Sequence, residues 1–122
     1  MALTTLKLVS VPVADQDEAR AFYVEALGFS VVRDERFGER QRWLEVAPPG
    51  GGTSVALVTW FEAMPPGSAQ GLVLSSDDVE HDHAELSGRG VPFASGIESA
   101  PWGRFATFTD PDGNGWVLQQ DA

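Results

Sequence analysis

The chain has 122 residues, which fits one compact domain or two small halves sharing a core. It contains no cysteine, which excludes disulfide frameworks, thiolate metal centres and cysteine nucleophiles. Acidic residues number 18 against 8 Lys+Arg, and the net charge of -10 argues against nucleic acid or anionic membrane as a partner. Leu6 to Ala14 alternates and is rich in β-branched residues, so it predicts a strand, with Pro12 at an edge or near the end. Asp15 opens a helix, with Glu18 three residues on as in a capping box. Ala19, Phe22, Tyr23, Ala26 and Leu27 follow as one apolar stripe, and Gly28 stands where a left-handed C-cap belongs.

Phe29 to Arg36 and Arg40 to Ala47 predict two strands around a turn at Phe37-Gly38-Glu39. A Pro48-to-Gly52 loop then leads to a strand over Thr53 to Trp60. Ala63 to Gln70 is turn-rich and marks a seam. Beyond it the pattern recurs. Gly71 to Ser76 is a short strand, and Asp77-Asp78 opens a helix with Val79 and Leu86 inward, closed by Gly88 or Gly90. Strands are expected to begin at Val91 to Ser95, then over Arg104 to Thr109 and Gly115 to Gln120, the last two joined by the Asp110-to-Asn114 turn. No apolar run approaches the ~20 residues of a membrane span, and the N-terminus lacks a basic patch before an apolar run. A cytoplasmic location is expected.

The order strand, helix, three strands thus occurs twice, and Asp15 superposes on Asp78. One such unit of about 60 residues is marginal alone. The expected fold class is α+β: two tandem βαβββ modules forming a curved mixed sheet with helices outside. A single domain over 1–122 is expected, with one module over about 1–62 and another over about 68–122. Exposed sheet edges make a homodimer the expected assembly.

VPVADQDEARAFYVEALGF and FTDPDGNGWVL resemble the opening and closing signatures of the vicinal oxygen chelate superfamily, which includes glyoxalase, bleomycin-resistance and extradiol-dioxygenase proteins. The resemblance covers nearly the whole chain. It implies a divalent metal held on the concave face by His, Gln or Glu from four strands. Those positions here are Leu8, Gly71, Val117 and one near Val55 or Ala56, none of which carries a suitable donor. A slip of one residue offers Gln70 but does not rescue the others. No metal and no cofactor are therefore expected.

Other chemistry-bearing residues have plain structural explanations. His81 and His83 stand two apart on a helix and point to different faces, so they do not chelate one ion together. The Asp110-to-Asn114 segment reads as a turn, because a calcium loop's other ligands are missing. Gly50-Gly51-Gly52 has no following Lys-Ser/Thr or helix, so it is no phosphate loop. Ser10, Ser54 and Ser75 lack a nameable acid–base partner. The aromatic residues carry more information: the chain has 4 Trp, and strand alternation places Trp43 and Glu45 on one face with Trp60 and Phe61 near its mouth. The same rule turns Ser10 and Gln119 toward the concavity, with Trp102 and Arg104 just before a strand. The candidate ligand-binding set is Ser10, Trp43, Glu45, Trp60, Phe61, Trp102, Arg104 and Gln119. The expected function is metal-free binding of a hydrophobic or aromatic small molecule, as in antibiotic sequestration. The alternative is a glyoxalase-like lyase or isomerase whose metal is held off-template by Glu45, Glu98, Gln119 or Gln70. A third reading is an interaction module with its cavity filled by Trp43 and Phe108.

Overall fold

A computed structural model describes residues 1–39 and 41–122, so the expected strand start at Arg40 lies outside the described residues. Strand β1 (Leu8–Pro12) leads into helix α1 (Gln16–Ala21), followed by β2 (Ser30–Phe37), β3 (Gln41–Ala47) and β4 (Ser54–Val58). The order repeats as β5 (Leu72–Ser75), α2 (Val79–Gly88), β6 (Glu98–Ala100), β7 (Gly103–Thr109) and β8 (Gly115–Asp121). Each half forms its own four-stranded mixed sheet, β1-β4-β3-β2 and β5-β8-β7-β6. The edge pairs β1–β4 and β5–β8 are parallel, because a helix carries the chain from the first strand to the far edge before the antiparallel strands return.

Both helices begin at an aspartate that satisfies the orphan N–H groups. Asp15 accepts from the amides of Asp17 and Glu18, and Asp78 accepts from that of His81. α1 does not end as a regular helix. Phe22 to Ala26 widen into a π-helical turn, in which the Leu27 amide donates to the Phe22 carbonyl. Gly28 then takes φ 79°, as the C-cap reading requires.

The helix-side faces of both sheets meet in one core. Val11, Leu44, Val46, Val55 and Leu57 come from the first sheet, and Phe108, Trp116 and Leu118 from the second. Tyr23 is the junction: its hydroxyl donates to Asp110 Oδ2 at 2.7 Å and accepts the Trp116 indole N–H at 3.0 Å. The Asp110-to-Asn114 turn is tied to the first half as well, through Asn114 Nδ2 donating to the Pro12 carbonyl.

The segment Val91 to Ser95 is not a strand. Val91 is buried in the core, and Phe93 makes a single bridge to Phe108, its ring 5.3 Å from that of Phe108 and 4.3 Å from that of His83. The Ala94 amide reaches the Thr107 carbonyl, but the Phe93 amide is used locally, on the Val91 carbonyl, so the pairing stops at that one bridge. The strand forms later, at Glu98. Phe108 is committed to this core, stacked on Trp116, and so is not available to fill a cavity on the opposite face.

Candidate functional site

Register decides which side chains share the faces that the helices leave uncovered. In the first sheet Ser10 pairs with Ala56 and Leu8 with Ser54. Glu45 also pairs with Ala56 and, on its other side, with Arg33. Strand alternation then puts Leu8, Ser10, Trp43, Glu45, Ser54, Ala56, Arg33 and Glu35 on one face, opposite the core. Trp43 stacks on Trp60, with centroids 6.2 Å apart and 28° between planes, and Trp60 meets Phe61 at 6.1 Å. Phe61 is 46% exposed, so these rings form a wall open to solvent.

At the foot of that wall lies Glu45, only 7% exposed. Its Oε1 accepts the Trp43 indole N–H at 3.1 Å, and its Oε2 accepts the Ser54 hydroxyl at 2.6 Å. Trp43 is thereby held by a hydrogen bond at one end and by the Trp60 ring on its face. Arg33, the neighbour across the strand pair, turns to Glu35 instead, at 3.5 Å.

The second sheet has its own uncovered face. Val73 and Ser75 pair with Val117 and Gln119, which pair in turn with Thr107 and Phe105. Trp102 stacks on Phe105, centroids 5.1 Å apart and 26° between planes, and is 50% exposed. The Gln119 amide donates to Asp121 at 2.9 Å. Sequence reasoning did not single out Phe105 or Thr107, and weighed Ser54 only as a nucleophile. Their signal was there, since each sits in register with a residue already placed on the face.

The predicted residues therefore divide. Ser10, Trp43, Glu45, Trp60 and Phe61 gather on the first sheet, while Trp102 and Gln119 belong to the second. Because both helix-side faces feed one core, the two open faces look away from it, and among the described residues no ring of one set stacks on a ring of the other. Arg104 stands apart from both. It pairs with Gln120 in register, turns to the helix side and binds Glu80 of α2 at 2.6 Å. The break between Trp102 and Arg104 is Gly103, at φ 150°, where a Cβ would collide with the Gln120 carbonyl. A separate cleft of about 760 Å³ opens between the halves, bordered by Phe29, the Pro48-to-Gly51 turn, Val73 to Ser75, and Glu85 and Arg89 of α2. None of the predicted ligand-binding residues lines it.

The chain is also similar to known proteins. The sequence profile of the Glyoxalase/Bleomycin resistance protein/Dioxygenase superfamily matches residues 5–118. The chain belongs to this superfamily. Among relatives it is 36% identical over 115 residues to the uncharacterized protein YetH of Bacillus subtilis (strain 168), covering 92% of this chain and 94% of that one. Among solved structures it is similar to TnmS3, an antibiotic binding protein from Streptomyces sp. CB03234. The match has 51% identity and a TM-score of 0.93, covering 100% of this chain and 99% of the other. A superfamily member from Sphaerobacter thermophilus DSM 20745 matches with 35% identity and a TM-score of 0.88, covering 99% and 100%.

The superfamily's divalent metal does not fit the residues here. Leu8 and Ala56 occupy the first-sheet positions, Val117 the last strand, and Gly71 the residue before β5. A divalent ion requires O, N or S donors, and hydrocarbon supplies none. The off-template candidates do not converge. Glu45 lies on the first sheet, Gln119 and Glu98 lie on the second with β7 between them, and the Gln70 amide turns to the carbonyls of Gly67 and Gly113. Elsewhere, His81, Asp82 and Glu85 bring one ligand atom each within 4.8 Å of one another on α2. His81 and Glu85 stand four apart, a spacing visible in the sequence. Both are exposed, and Glu85 is shared with Arg89.

Proposed function

We propose that this chain is a metal-independent small-molecule binding protein that holds a flat aromatic or hydrophobic ligand and acts by sequestration. The observation that carries this reading is the open Trp43–Trp60–Phe61 wall beside template positions that bear only hydrocarbon or glycine. Stacked indoles offer a large apolar surface of fixed orientation, which suits planar ligands. The likeness to TnmS3, described as an antibiotic binding protein, supports it. An antibiotic that acts inside the cell is the ligand class proposed, with the protein working in the cytoplasm.

A homodimer is part of the proposal. In β5 the Ser76 amide already reaches Gln119 of β8, so by alternation Val73 and Ser75 turn their backbone groups to the free edge. In β1, Lys7 and Val13 bond to β4, which leaves Leu8 and Ser10 on the opposite edge. Two copies related by a two-fold axis satisfy both edges at once, β1 of one beside β5 of the other. The Trp43 wall of one copy then continues into the Trp102–Phe105 face of the second, and a concave site closes around the ligand.

The test begins with the metal content of protein purified without chelator and calorimetric titration with zinc, nickel, manganese and iron(II). No stoichiometric ion is expected. Planar aromatic antibiotics are then titrated by tryptophan quenching, against Trp43→Ala and Trp60→Ala. Losing one wall residue is expected to weaken binding by about tenfold or more. One tightly held ion per site would overturn the metal-independent reading and favour lyase or isomerase chemistry.

A further inference from the structure

We infer that Glu45 is a specificity-determining residue that selects a cationic aromatic ligand. The inference rests on the proposed binding reading and adds the charge of the ligand to it.

A carboxylate taken out of water requires compensation, either by a cation or by several hydrogen-bond donors. Glu45 has two donors, one per oxygen, and both are neutral: the Trp43 indole and the Ser54 hydroxyl. Each oxygen has a second lone pair, so neither donor exhausts its accepting capacity. Among the described residues no Arg, Lys or His forms an ion pair with it. The nearest candidate by register, Arg33, is engaged with Glu35 on the same face. The result is a carboxylate without a counter-ion, at 7% exposure, held against the N–H edge of an indole that stacks on a second.

Two physical effects then act in the same direction. Screening is weak at a buried charge, so the attraction for a ligand cation exceeds that of a surface carboxylate. The faces of Trp43 and Trp60 also favour a cation over a neutral or anionic ring. A ligand anion in the same place would face Glu45 and the negative sides of both rings, while the cation on that face, Arg33, is turned to Glu35. The fit is therefore a planar aromatic system carrying a protonated amine, its ring on the Trp wall and its N–H groups toward the carboxylate. The net charge of -10 aids the approach of such a ligand, while selection among flat molecules lies with the buried group.

The test uses three acridines of similar outline and different charge at pH 7: 9-aminoacridine as cation, acridone as neutral ring and acridine-9-carboxylate as anion. Each is titrated into the full-length wild-type protein by fluorescence. The cation is expected to bind about tenfold or more tighter than the anion, with acridone between. Glu45→Gln preserves the shape and an acceptor for Trp43, and is expected to bring the cation and anion within about threefold while acridone is unchanged. Equal binding of the three probes to wild type would overturn the inference and leave the binding reading standing. Undiminished cation preference in Glu45→Gln would overturn it too. No saturable binding of any probe would overturn both readings. The wild-type ratio requires no variant, so the inference stays testable if Glu45→Gln does not fold.

Discussion

Tyr23 shows how much one side chain can hold together. It is fully buried, donates to Asp110, accepts from Trp116, and packs its ring against Phe22, Phe29 and Trp116. Burial, and then the nearby Asp110 charge, push its phenol above the ordinary tyrosine value. A group whose folded value is raised contributes stability below its unfolded value, about 10, and that stability is lost as pH rises beyond it. The chain has a single tyrosine, so absorbance near 295 nm reports on this group alone. The tyrosinate signal is expected to appear together with unfolding, as followed by far-ultraviolet circular dichroism, rather than ahead of it. Tyr23→Phe leaves the Trp116 N–H without its acceptor and is expected to cost about 1–3 kcal/mol in urea unfolding.

Trp102 and Arg104 show what residue spacing leaves undecided. Two positions apart in a regular strand, they would share a face. Gly103 interrupts that rule, and Arg104 goes to Glu80 on the helix side while Trp102 stacks on Phe105. The ion pair across from α2 is a tertiary fact with no local signal.

At the scale of elements, α1 is locked to its sheet by a polar latch as well as by its apolar stripe. The buried Arg42 guanidinium bonds Asp34 through Nε at 2.8 Å and Nη2 at 2.9 Å, and Asp17 in the first turn of α1 at 2.6 Å. Gln16 adds bonds to the carbonyls of Arg42 and Leu57. The hydrogen bond from Arg42 holds the Asp34 carboxyl below the ordinary aspartate value. A lowered folded value gives stability that is present above the unfolded value of about 3.9 and is lost as pH falls below it. Asp34→Asn is therefore expected to lower the urea midpoint at pH 7. Its deficit relative to wild type shrinks as pH falls below about 4, as read from unfolding curves at stepped pH. The helix itself was legible: Asp15, the apolar stripe and Gly28 are local signals with local causes. The π-helical turn was not, because an apolar stripe is compatible with either winding. Only packing of Tyr23 and Phe29 against Trp116 sets which is used.

For the whole molecule, the proposed homodimer rests on the free edges of β1 and β5. Ser75→Pro removes an edge N–H and adds a residue that an edge strand tolerates in the folded chain. The expected outcome is a folded monomer by analytical ultracentrifugation, with aromatic ligand binding lost because the wall no longer meets the opposite face. A dimer that persists with full binding would show that those edges are not the interface.

The strand–helix–strand order, its duplication, the helix caps and the lack of metal donors at the positions implied by the superfamily resemblance were all legible in the chain. Each is a matter of residue type or short-range periodicity, with a cause lying within a few residues. Tertiary structure alone decided that Val91 to Ser95 feeds the core and not a ladder, that Arg104 leaves the site, and that the predicted ligand-binding residues fall on two faces and not one. Those outcomes depend on which sheet packs against which helix, and the Tyr23–Asp110–Asn114 junction, joining residues 87 or more apart, sets that packing.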